Sequence, residues 1–182
     1  MPAALIVIDM LNPYDHPDAE PLMDSARGMI DELQALMAVA REEDLRMIYV
    51  NDHHGDWTAG PKEITQRALR GEAPELIEPV LPAGDVPFII KARHSIFYQT
   101  LLEYLLREED IDRLVFAGQV PEQCILYSAL DGYLRHFEVV VAKNAVACIS
   151  EELAQAAIQM METNMHAQIA QDIDAVFAAS RG

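Results

Sequence analysis

Short apolar runs constrain this chain more than any other feature. Residues 4–8, 47–50, 88–90, 114–117 and 137–142 are each apolar at all or nearly all positions. A strand with one wet face alternates polar and apolar residues, whereas one buried on both faces does not. The runs therefore read as strands of a parallel sheet, and 4–8 as one buried on both faces. Helical patterns stand between them. Residues 21–43 carry Ile30, Leu33 and Met37 at helical spacing, and residues 98–108 place Leu101, Leu102, Leu105 and Leu106 on one face. Residues 121–136 read as a helix with Pro121 in its first turn, and Ser150 as the cap of another with Glu151 and Glu152 behind it. A short strand at 169–170 and a helix over 173–179 close the pattern, while Gly55, Gly60 and Pro61 mark 53–71 as an irregular surface excursion. Strands alternating with helices give a parallel sheet covered on both faces, with every strand's carboxyl end on one side. Sites in such sheets form at that edge, where the strand order reverses.

The 182 residues suit one domain spanning 1–182. A formal net charge of −17 argues against nucleic acid and against anionic membrane surfaces as partners. No apolar run approaches the ~20 residues of a membrane span, and the start lacks the basic segment of a secretory signal. Two cysteines do not make a disulfide framework. The expected compartment is a reducing cytoplasm, where a thiol stays free.

Three reactive side chains fall at or just past the carboxyl ends of expected strands: Asp9, Lys91 and Cys124. Each has an ordinary reading, as a turn residue, a solvated strand end and a small core residue. Together they supply complementary roles. Cys124 sits where a strand turns into a helix, so helix dipole and Lys91 would favour its thiolate. Asp9 would accept and return protons, and the backbone N–H groups of Val120 and Cys124 are candidates for an oxyanion hole. Trp57, His94, Phe97 and Tyr127 are candidate substrate-binding residues. Cys148, in an apolar setting, reads as structural. Asp52 and His54 alone are too few ligands for a metal site.

Three motifs carry a family resemblance: Leu5-Ile6-Val7-Ile8-Asp9-Met10-Leu11-Asn12; Lys91 with His94-Ser95-Ile96-Phe97-Tyr98-Gln99-Thr100-Leu101; and Gly118-Gln119-Val120-Pro121-Glu122-Gln123-Cys124, followed by Ala129-Leu130-Asp131-Gly132-Tyr133. The chain resembles the isochorismatase-like cysteine hydrolases, which include nicotinamidases and N-carbamoylsarcosine amidohydrolase. The resemblance implies an α/β fold, a three-layer α/β/α sandwich with a six-stranded, Rossmann-like parallel sheet. It implies Asp9, Lys91 and Cys124 as a catalytic triad, and a cis peptide between Gln119 and Val120 that aims the Val120 N–H at the oxyanion. It also implies hydrolysis of a C–N bond in a small amide or ureido substrate through a thioester, no cofactor, and a homodimer or larger homo-oligomer. Nicotinamidases carry a metal site of Asp, x, His and a further His. Asp52 and His54 match its first two members, but Gly60 stands near the third, so no metal is expected. Isochorismatase itself lacks the thiol, and Cys124 argues for acyl transfer instead. Two rivals share the fold: a non-catalytic binding or assembly module, and a redox protein with Cys148 as resolving thiol.

Overall fold

A computed structural model describes residues 2–178. Six strands, β1 (Ala3–Ile8), β2 (Arg46–Asp52), β3 (Phe88–Lys91), β4 (Arg113–Gln119), β5 (Glu138–Ala147) and β6 (Gln168–Ala170), form one sheet in the order β3-β2-β1-β4-β5-β6. Every pairing is parallel. The chain builds outward from β1 in one direction, then returns to its other side with β4. The strand order therefore reverses between β1 and β4, and a crevice opens there at the carboxyl edge.

The apolar runs are explained by two cores. Leu5, Val7, Tyr49, Val115, Ala117 and Val140 face one layer, which includes α1 (Ala19–Glu42). Ile6, Ile8, Ile48, Val50, Leu114, Phe116 and Val141 face the other, built on α4 (Leu102–Glu108), α5 (Leu126–Leu134) and α6 (Glu151–Met165). Successive residues of one strand thus bury on opposite sides. Full burial of each such Leu, Ile or Val favours folding by roughly 1.5–3 kcal/mol. On α1 the buried Leu22, Ala26, Met29, Leu33, Leu36 and Ala40 recur at three- and four-residue spacing, which fixes the face it presents.

Several expectations change. The stretch 53–71 holds a helix, α2 (Pro61–Leu69), with Pro61 in its first turn and the Glu63 carboxylate accepting the Gly60 N–H at 3.1 Å. A one-turn helix, α3 (Pro74–Ile77), follows it. The helix expected over 98–108 starts only at Leu102, which leaves Leu101 76% exposed while Leu102 and Leu106 are buried. The helix after β4 opens with a wide turn, Pro121–Ile125, before the regular α5. The Ser150 hydroxyl caps α6 by accepting the Leu153 N–H at 3.4 Å. The last helix, α7 (Ile173–Ala178), matches its expected span as far as it is seen; Ala179 lies outside the described residues. Among the described residues no helix is long and apolar enough to cross a membrane.

Candidate active site

The crevice gathers its residues from four strand ends. Asp9 follows β1 in the left-handed conformation, φ 54°, which Asp adopts more readily than most residues. Its N–H donates to the Val50 carbonyl at 2.9 Å, and its Oδ1 accepts the Asp52 N–H at 2.8 Å. The end of β2 therefore holds the carboxylate in place. Gly118 lets β4 approach β1: its φ is 116°, and a Cβ there would lie 2.1 Å from the Ile8 carbonyl oxygen. Only glycine fits. The Gln119–Val120 peptide that follows is cis.

Lys91 enters from β3, two strands away, and its long side chain passes the end of β2. Its Nζ lies 2.8 Å from Asp9 Oδ2, 3.9 Å from Asp52 Oδ2 and 3.4 Å from Cys124 Sγ. The Lys91 side chain is 1% exposed, a burial that an ammonium tolerates only when paired. Cys124, in the wide turn, is half-buried, and its sulfur lies 3.7 Å from His94 Nδ1. Sequence-distant Asp9, Lys91 and Cys124 thus meet at one point.

The electrostatics correct one expectation. For Lys91, burial works against the ammonium, but the Asp9 carboxylate, with smaller help from Cys124 and Asp52, more than offsets it and raises the pKa. For Cys124, burial and then the Asp9 carboxylate push the thiol up, and the opposing pull of Lys91 is insufficient. Both shifts favour an ammonium beside a neutral thiol at rest, rather than a standing thiolate. A proton acceptor for the thiol stands close by, since Asp9 Oδ2 lies 2.8 Å from the same Lys91 Nζ that is 3.4 Å from the sulfur.

A cavity of about 300 Å³ opens over the sulfur, at the small end of the range for ligand pockets. Asp9, Lys91, His94, Val120 and Cys124 line it, as do residues that sequence reasoning did not single out, namely Asn12, His16, Asp18, Leu22, Gln119, Gln123 and Ile149. Gln119 is fixed by three contacts. Its Oε1 accepts from Asn12 Nδ2 at 3.3 Å, and its Nε2 donates to the Tyr14 hydroxyl at 2.6 Å and lies 3.5 Å from the Met10 sulfur. Burial pushes the Tyr14 phenol up to about 12, so it stays neutral. Glu122 ties the turn that carries Cys124 to the opposite wall: its Oε1 accepts the N–H groups of Ile149 and Ser150 at 2.7 and 2.9 Å.

Three expected pocket residues lie elsewhere. Phe97 is 5% exposed and stacks on Phe137 at 5.6 Å inside the core. Trp57 is 82% exposed and leans on His53, away from the cavity wall. Tyr127 points outward from α5 and reaches the site only through its ring contact with His94 at 5.4 Å. Asp52 and His54 line the cavity, but their polar atoms meet their own surroundings. Asp52 Oδ1 accepts the His54 N–H at 2.7 Å, and His54 Nε2 lies 3.1 Å from the Leu11 carbonyl oxygen. Among the described residues no three His, Cys, Asp or Glu side chains converge as a metal site would require. The Cys148 sulfur faces Ser25 at 3.6 Å and Glu151 at 3.5 Å, and both cysteines are free.

Fold and site together define a doubly wound α/β protein with an acid, an amine and a thiol at its topological switch point. An isochorismatase domain model matches residues 3–172, and the chain belongs to the isochorismatase family. It is 31% identical over 166 residues to YaaI, an uncharacterized isochorismatase family protein of Bacillus subtilis (strain 168), with 91% of this chain and 92% of YaaI covered. It is 29% identical to the ureidoacrylate amidohydrolase RutB of Pantoea ananatis, covering 88% of this chain and 75% of RutB. Among solved structures, the nicotinamidase PncA of Bacillus subtilis superposes with a TM-score of 0.74 at 29% identity, covering 94% of this chain and all of that one.

Proposed function

We propose that this chain is a single-domain amidohydrolase that cleaves a C–N bond in a small molecule through a thioester on Cys124. One observation carries the reading: Lys91 Nζ stands within 2.8 Å of the Asp9 carboxylate and 3.4 Å of the Cys124 sulfur, beneath an open cavity. Amide-hydrolysing relatives support the reaction class.

Asp9 takes the thiol proton as the sulfur attacks the carbonyl carbon. Lys91 offsets the negative charge that passes from carboxylate to sulfur. The Val120 and Cys124 N–H groups hold the developing oxyanion. The tetrahedral adduct collapses, the C–N bond breaks, and the leaving nitrogen takes the proton from Asp9. Asp9 then removes a proton from water, which attacks the thioester, and release of the acid returns that proton to the sulfur. Such a cycle uses no cofactor and suits a cytoplasmic protein. A homodimer or larger assembly is consistent with the exposed Tyr104, Leu130 and Leu134 on α4 and α5.

Cys124→Ala and Cys124→Ser should lose at least about 10³-fold in turnover of small amides and ureido compounds, and an adduct with the mass of the substrate less its leaving amine should be trapped on wild-type Cys124. Hydrolysis at the wild-type rate in either variant would remove the mechanism and favour a non-catalytic module.

A further inference from the structure

The charges of the cavity bear on which amide enters. Asp9, Asp18 and Asp52 line it against one ammonium, Lys91, which is already paired with Asp9 at 2.8 Å. Burial lowers the pKa of His54 and so favours its neutral form. No other Lys or Arg lines the cavity among the described residues, and the exposed Arg93, two positions past Lys91, is not part of the wall.

Asp18 is the unusual member. It holds the N-cap position of the 24-residue α1, where an Asp ordinarily accepts an N–H from the first turn of its own helix. Its side chain makes no such bond, and it lines the cavity with Leu22, one turn further on. A helix start beside a cavity attracts carboxylates. Here the exposed Asp18 side chain, which no hydrogen bond ties down, already stands in that field.

We infer that Asp18 determines specificity, and that the site takes small amides whose remote end is uncharged or cationic and rejects those ending in a carboxylate. This rests on the amidohydrolase reading. Ureidoacrylate is an anion of the rejected kind.

A matched series tests it: butyramide, β-alaninamide and succinamate have the same length and end in methyl, ammonium and carboxylate. Their kcat/KM is measured on the wild type and on Asp18→Asn, at low salt and at about 0.5 M salt, and their Kd on Cys124→Ala. Succinamate should trail butyramide by about tenfold or more on the wild type, with the gap narrowing as salt screens the field. Asp18→Asn should raise the succinamate-to-butyramide ratio by roughly three- to tenfold. Succinamate handled as well as butyramide by the wild type, a ratio unmoved by Asp18→Asn, or a succinamate preference abolished by Arg93→Ala would each overturn the inference. If none of the three is hydrolysed, that failure falls on the proposed reaction. The Kd order on Cys124→Ala then decides charge selection, and tighter succinamate binding there overturns it.

Discussion

Asp9, Lys91 and Cys124 are unremarkable residue types until the fold brings them within hydrogen-bond reach of one another. What made them legible in the sequence is that Asp9 and Lys91 stand where apolar runs end and Cys124 in the turn after another, so one architectural rule places all three at a single edge. The protonation state was not legible. Dipole and neighbouring cation suggest a thiolate, but burial and the Asp9 charge outweigh them, and both depend on three-dimensional distance. Nor was the pocket wall. Trp57, Phe97 and Tyr127 were candidates because they are aromatic, but side-chain direction in loops and short helices follows no period that one sequence displays. His54 shows the same dependence on burial. Its pKa is lowered by burial, so below about pH 6.5 the unfolded chain takes up a proton that the folded site resists. The burial penalty is absent above that pH and grows below it. Between pH 7 and 5.5 the urea midpoint should therefore fall less steeply in His54→Gln than in the wild type.

Among the elements, the inner strands were readable because burial on both faces leaves no polar position to blur them. Most of their true ends run one or two residues further, while β5 continues from the expected 142 to Ala147. Arg113, for example, extends β4 because its aliphatic stem buries while its guanidinium meets Glu138 and Gln168 at the rim. The helix α2 was hidden by the Gly60-Pro61 pair, which reads as a break but here starts a helix. The wide turn Pro121–Ile125 leaves no sequence signature beyond its proline, yet it sets where the sulfur points. Glu122 anchors that turn, holding two backbone N–H groups of the segment between β5 and α6, whose Ile149 walls the cavity. Glu122→Ala should cost roughly 2 kcal/mol in denaturant unfolding and raise KM more than it lowers kcat. Glu122→Gln keeps an acceptor oxygen and should retain most of both. Equal behaviour of the two variants would remove the anchoring role.

For the molecule as a whole, the order β3-β2-β1-β4-β5-β6 does what no single element does. It leaves one gap in the carboxyl edge, between β1 and β4, and Gly118 closes the two strands onto each other beneath it. Asp9 and Cys124 flank that gap, and Lys91 reaches it across β2. Lys91 is buried there, so retaining a cation at the centre depends on this local pairing with Asp9. The most direct test of that arrangement is the pH dependence of Cys124 alkylation by iodoacetamide, followed in a Cys148→Ser background with and without Asp9→Asn. Removing the carboxylate takes away a charge that pushes the thiol up and leaves Lys91 beside it. Alkylation should therefore shift to lower pH while amide hydrolysis falls by about 10³-fold. An unmoved alkylation profile with hydrolysis near the wild-type rate would contradict the coupling of acid, amine and thiol on which the account stands.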